Sequence, residues 1–182
     1  MPLRLFSLLF FTLILSACSV SQVAKAKYQK NFAFSQLKTY RLMERDSKFS
    51  EFQNINHILR NNIELALEQQ LDKQGLSYLA EETTDVIVSY YVIDGNFKQL
   101  TRYDKGVNFC RFCDSFYYST SGQKNLPMQR GSLVVDLIDT KTKRSVWRSV
   151  YPLKAKVKDN SMQVKEKLDS AVSMMFDQFP KT

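Results

Sequence analysis

The residues of this 182-residue chain with types and spacing suited to chemistry are few. Cys110 and Cys113 form a Cys-x-x-Cys inside Phe109-Cys110-Arg111-Phe112-Cys113-Asp114-Ser115-Phe116-Tyr117-Tyr118. That spacing serves half a zinc site, a thiol redox centre or a short-loop disulfide. A structural zinc site takes four N or S donors, and the chain holds three cysteines and one histidine, His57. A redox pair of the thioredoxin kind sits between a strand and a helix, a context these residues lack. In an oxidising compartment a disulfide is the expected state, contributing about 2 kcal/mol by the chain-entropy argument. Asp136 and Asp139 are three apart, so on a strand they point to opposite faces and cannot pair as acid and base. His57 falls with Asn61, Glu64 and Glu68 on the polar side of a helical pattern and reads as solvated. No serine stands in a nucleophile-elbow pattern, and there is no glycine-rich phosphate loop or histidine pair. The expectation is a non-catalytic protein with no cofactor and no metal.

The remaining cysteine does different chemistry. Arg4 gives a positive start, Leu5 to Leu15 is apolar except for Ser7 and Thr12, and Leu15-Ser16-Ala17 precedes Cys18. This is an export signal ending in a lipoprotein cleavage pattern. The apolar run is shorter than the roughly 20 residues a membrane-crossing helix needs. It is therefore expected to be removed, with residues 1–17 as signal peptide and Cys18 as the new, acylated first residue. The alternative is an ordinary secretory signal cut near Ala17 with Cys18 left free. The inner-membrane retention signal is typically an aspartate after the cysteine, and Ser19 stands there. Outer-membrane anchoring by the lipid, facing the periplasm, is the expected location.

The formal balance is 26 basic against 18 acidic residues. Such a surplus suggests nucleic acid in a cytosolic protein, but an exported chain meets none. Its cations instead suit anionic lipid headgroups, lipopolysaccharide or an acidic partner. Lys25, Lys27 and Lys30 lie nearest the anchor, in a polar stretch, 18–30, that reads as a tether reaching roughly 40 Å at about 3.3 Å per residue. Its second half could add an edge strand.

Residues 31–182 read as one domain. Lys38-Thr39-Tyr40-Arg41-Leu42 is a short strand. Ser50-Glu51-Phe52-Gln53 has a capping-box form, and Ile55, Ile58, Leu59, Ile63, Ala66, Leu67 and Leu71 follow with helical period, stopped at Gly75. Asp85 to Ile93 is dense in β-branched and aromatic residues, as a central strand covered on both faces would be. Gly131 to Asp139 and Arg144 to Tyr151 form a hairpin. With Asp139 opposite Arg144, a regular register places Leu133, Val135, Leu137, Val146 and Val150 on one face. The other face then carries Val134, Asp136, Ile138, Trp147 and Tyr151, although a slip of one residue exchanges the assignments. After N-cap candidates at Asp159-Asn160-Ser161, Val164, Leu168, Ala171, Val172, Met175, Phe176 and Phe179 form a helical core stripe. Between the central strand and the hairpin lies an insert, 96–130, holding the Cys-x-x-Cys. Its Phe112, Phe116 and Tyr117 are expected to cover the face of Val134, Ile138 and Trp147, or to display a partner surface beside it.

Phe34-Ser35-x-Leu37-Lys38-Thr39-Tyr40, Asp85-x-x-Val88-x-Tyr90, Gly131 to Leu137 with Asp139, Val146-Trp147-Arg148 and the closing Phe179-Pro180 together resemble the bacterial lipoprotein family of unknown function DUF4136. Thr84 stands where that family often has Pro, and Ser149 where it often has Gly after the Trp-Arg pair. The resemblance implies an α+β fold: an antiparallel-rich sheet of about four to five strands with two amphipathic helices packed on one face. It implies an envelope lipoprotein and supplies no catalytic residue. The functional expectation is an envelope scaffold or accessory binding protein that engages an outer-membrane partner through Asp136, Trp147, Arg148, Tyr151 and the insert aromatics. The alternatives are a binder of lipopolysaccharide or another anionic glycan through the basic surface, and an uncharacterised envelope enzyme.

Overall fold

A computed structural model of the chain describes residues 24–45, 53, 55–81, 83–109, 130–153 and 159–180. In chain order these form β1 (Lys25–Tyr28), a 3-10 turn at Phe34–Gln36, β2 (Thr39–Leu42), α1 (His57–Lys73), β3 (Ser77–Tyr78), β4 (Val86–Val92), α2 (Phe97–Gly106), β5 (Ser132–Asp139), β6 (Arg144–Pro152) and α3 (Ser161–Phe176). The strands make one six-stranded sheet in the order β1-β6-β5-β4-β2-β3. The first four are mutually antiparallel. β2 runs parallel to both β4 and β3, which requires a crossover connection, here α1 between β2 and β3.

The sheet has six strands where about four to five were expected, and the described residues hold three helices where two were expected. β1 lies inside the stretch read as tether: its alternation Lys-Ala-Lys-Tyr is that of an edge strand with one polar face. Ala24 is buried in the core and β1 pairs with β6, so the domain takes in the residues from 24 as well as those from 31. β3 is two residues long, below what sequence periodicity can reveal. The third helix, α2, opens the insert.

The sheet is covered on both sides. α1 and α3 pack Ile63, Leu67, Val172 and Phe176 on one face, against Val88, Leu137 and Trp147 among others. On the reverse face α2 lays Leu100, Tyr103 and Val107 over Ile87, Tyr91, Val134, Ile138 and Val150. This two-sided cover is why β4 and β5 read as continuous apolar runs; all eight residues of β5 are buried. It also corrects the arrangement of helices on one face only. The apolar reverse face is closed by α2, from the start of the insert; Phe112, Phe116 and Tyr117 lie outside the described residues.

The hairpin register departs from the regular one at a single point. Asp139 pairs with Arg144 and Ile138 with Ser145, but Leu137 pairs with Trp147, so Val146 is the extra residue of a β-bulge. A bulge shifts the parity of every later residue on its strand. Trp147 thus joins Leu137 on the α1/α3 face, and Arg148, not Trp147, stands opposite Asp136. Val150 accordingly belongs with Val134 on the α2 face.

Helix ends follow local side-chain chemistry. Asn56 caps α1 by accepting from the Leu59 N–H at 2.8 Å, in place of the expected Ser50 box. Gln53 instead donates its side-chain amide to the Tyr90 carbonyl at 2.5 Å. Gly75, at φ +83°, ends α1 in the left-handed region where a side chain is strained. Asn160 and Gln163 form a reciprocal capping box on α3.

Candidate functional site

The bulge does more than turn a tryptophan. Ser145 and Arg148 are three residues apart and would face opposite ways on a regular strand; the extra Val146 between them puts both on the α2 side, flanking Asp136. The Arg148 Nε reaches Asp136 Oδ1 and Oδ2 at 2.9 and 3.1 Å, and its Nη2 reaches Oδ2 at 2.9 Å. The Ser145 hydroxyl donates to Asp136 Oδ1 at 2.5 Å. From α2, the Tyr103 hydroxyl donates to Asp136 Oδ2 at 2.8 Å, and Asp104 Oδ1 accepts from Arg148 Nη1 at 2.8 Å. Consecutive residues of one helix thus tie onto the hairpin. The Phe109 ring covers the guanidinium, 3.6 Å from its carbon to the ring centroid, a cation–π contact in a desolvated setting.

Arg148, Asp104 and Asp136 are each at most 1 % exposed. Burial disfavours the charged guanidinium, but the charges of Asp136 and Asp104 outweigh it and hold Arg148 more firmly protonated than in water. Burial, then the Asp136 charge, pushes the Tyr103 phenol well above its ordinary value, so it serves as a neutral donor. A fork-shaped cation satisfied by two carboxylates suits orientation and cohesion.

Beside this cluster opens a cleft of about 800 Å³ between the β1–β6 edge and the end of α2. Lys27, Gln29, Lys105, Asn108 and Arg144 wall it, and Phe109 and Arg148 lie at its floor. Its polar walls present cations and amides, groups that recognise anions.

The structure brings Asp136 and Arg148 together as an ion pair across the hairpin, in the electrostatic orienting role their sequence positions suggest, and as interior residues, not as part of an exposed interaction surface. Trp147 is buried on the other face, its ring 5.1 Å from Phe176 and 5.8 Å from Phe179, because the bulge turns it there. Tyr151 is partly buried against the same core. Cys18, Cys110, Cys113, Phe112, Phe116 and Tyr117 lie outside the described residues. Asp139 does face away from Asp136's partners in function: it accepts from the Lys141 and Thr142 N–H groups, both at 3.1 Å, and closes the hairpin turn. His57 is exposed at the start of α1. Glu64, expected beside it in solvent, is buried and accepts from the Tyr90 hydroxyl at 2.6 Å while pairing with Arg45. Sequence reasoning missed Tyr103, Asp104, Phe109 and Ser145. The signal for the first two was the spacing of Leu100, Tyr103 and Val107, which is that of a helix face. Among the described residues no group of three or more His, Cys, Asp or Glu is placed to hold a metal ion, and no helix is long and apolar enough to cross a membrane.

Comparison with known proteins bears on the fold. A crystal structure of a DUF4136 family protein from Bacteroides thetaiotaomicron VPI-5482 is similar at TM-score 0.56 and 16 % identity, covering 86 % of this chain and 95 % of that one. A PDZ domain protein from Parabacteroides distasonis ATCC 8503 is similar at TM-score 0.51 and 16 % identity, over 88 % of this chain and 36 % of the other. At such identities the likeness shows a shared fold. No curated protein matches the chain. The family model described as "Domain of unknown function (DUF4136)" matches residues 24–181, from the residue before β1 to the end of the closing Phe179-Pro180 segment, and the chain belongs to that family.

Proposed function

We propose that the mature chain is a non-catalytic accessory binding protein, lipid-anchored at Cys18 to the outer membrane on its periplasmic side, which holds an anionic partner in the cleft beside α2. The observation that carries this reading is the lining of the cleft: Lys27, Lys105 and Arg144 line it, beside Gln29 and Asn108, whose amides donate to the Ser145 and Lys143 carbonyls and brace its rim. The ionised groups beneath are engaged with one another, and the exposed Lys105 and Arg144 stand at the rim. A photo-crosslinker in place of Asn108, exposed at the rim, tests the partner in intact cells. A discrete protein adduct supports an envelope scaffold. Polysaccharide adducts that vanish at high salt support the second reading, a binder of lipopolysaccharide or another anionic glycan, because exposed charge contacts are screened beyond about 10 Å at 0.1 M salt. No adduct from any rim position refutes both. Anchoring is tested by Cys18→Ser and fractionation: a processed product that stays with carbonate-washed membranes removes the lipid reading.

A further inference from the structure

The anchor and the fold together limit how far the domain stands from its membrane. Ala24 is buried in the core and β1 starts at Lys25, so only the six peptide units from Cys18 to Ala24 separate an acylated cysteine from the folded sheet. At about 3.3 Å per residue that leash spans roughly 20 Å. A helix layer on either face of the sheet is about 10 Å in diameter. On so short a leash the start of β1 stays within about 20 Å of the headgroups, close enough for charge to bias which side of the domain turns to them.

Among the described residues the α2 side is cationic. Lys98, Arg102 and Lys105 recur at steps of four and three along α2, and all three are exposed, while Leu100, Tyr103 and Val107 turn to the sheet. With its apolar side spent on the sheet, α2 can meet an anionic surface only through this outward basic stripe, by charge and not by insertion. The one acid of α2, Asp104, is buried against Arg148. The exposed Asp94 nearby accepts the Asn96 N–H at 2.7 Å. Two more cations come from β1: Lys27 stands opposite Arg148 and Lys25 opposite Val150, both partners facing α2, so these lysines project to the same side. Arg144 completes the cleft wall. The opposite face is mixed in sign: α1 carries Glu68, Asp72 and Lys73, and α3 carries Glu166 and a Lys165–Asp169 pair at 2.6 Å.

We infer that the α2 side is a membrane-docking face: Lys98, Lys105, Lys25 and Arg144 lie on the anionic phospholipid headgroups of the membrane that carries the anchor, and the cleft takes lipid phosphates. This rests on the lipid-anchor reading and names the anionic partner of the cleft. Each cation near an anionic leaflet strengthens the apposition about fivefold, so the four select this face over the mixed one.

The test uses the full acylated chain in vesicles of phosphatidylethanolamine and phosphatidylglycerol at three to one, and in vesicles of phosphatidylcholine alone. Benzoylphenylalanine replaces Lys98, Lys105, Leu65 or Met162 in turn, the last two being exposed on α1 and α3. Phospholipid adducts at 98 and 105 severalfold above those at 65 and 162, in the anionic vesicles and much reduced in the zwitterionic ones, are expected. A probe in place of Arg144 should lose its adducts in the Lys98→Glu, Lys105→Glu variant, whose exposed substitutions leave the core intact. Equal labelling at all positions, preference for 65 and 162, or no effect of lipid charge overturns the docking while Cys18 is seen acylated by intact mass. A mass without acyl groups overturns the anchor reading, and the docking with it.

Discussion

Removing the Arg148 guanidinium is the sharpest perturbation of this fold. In Arg148→Met the methionine fills most of the aliphatic stem, but Asp136 and Asp104, at most 1 % exposed, lose four charged hydrogen bonds of 2.8 to 3.1 Å between them. Tyr103 and Ser145 still donate to Asp136, but the fully buried cation between the two carboxylates is gone. Breaking a buried pair from one side costs about 3–5 kcal/mol. A domain of this size has about 5–15 kcal/mol in total and shifts about 2–4 °C per kcal/mol, so the midpoint should fall by roughly 10 °C. The assay is at hand, because Trp147 is the sole tryptophan and is fully buried against Phe176 and Phe179: its emission is blue-shifted when folded and moves red on unfolding in urea. Two further variants check the reasoning. Asp104→Asn leaves one cation facing one carboxylate and should lose less than Asp136→Asn, which removes the charge that Arg148 pairs with and leaves one accepting oxygen where Arg148, Tyr103 and Ser145 shared two. Arg148→Lys keeps the charge without the fork and should fall between wild type and Met. A loss below about 1 kcal/mol for Arg148→Met, or Asp104→Asn worse than Asp136→Asn, would refute the account of the cluster.

Deleting residues through Lys30 removes β1 and bares the edge of β6, so the remaining domain should unfold cooperatively at a clearly lower urea midpoint; an unchanged midpoint would return the domain start to 31. Burial pushes the Asp85 carboxyl up, but the N–H groups of Lys38 and Thr39 and the Thr39 hydroxyl outweigh it and hold the pKa below the ordinary value. A depressed folded pKa contributes stability above the unfolded value of about 3.9 that is lost as pH falls through the folded one. Asp85→Asn should therefore narrow its deficit to wild type below pH 4, and a deficit constant from pH 7 to pH 3 would contradict this. Replacing Cys110 and Cys113 by Ser should leave the midpoint within a few degrees while raising protease cleavage between Phe97 and Leu126; free thiols in protein from the periplasm would remove the disulfide reading.

The long elements were legible in the sequence because their signals are local. The α1 and α3 stripes, the two-sided apolarity of β4, the hairpin with Asp139 opposite Arg144 and the stop at Gly75 each depend on a few neighbouring residues. The family was legible in the same way, from short motifs spread along the chain. The short elements were less so: β1 stood only as a possible edge strand in the second half of the tether, with its partner β6 unspecified, and β3 is two residues long. The charge cluster shows most plainly what tertiary structure alone decided. Leu133-Val134-Val135 is apolar at every position because both faces of β5 are covered, so no alternation marks which face is which, and nothing local marks Val146 as the bulged residue. Pairing with β5 places that extra residue, the parity shift turns Trp147 to one core and Arg148 to the other, and α2 then brings Tyr103 and Asp104 across from more than forty positions earlier in the chain in the case of Asp104 and Arg148. Sequence thus determined which residues were apolar, charged or able to cap. The register between strands, a property of two segments at once, decided which of them meet.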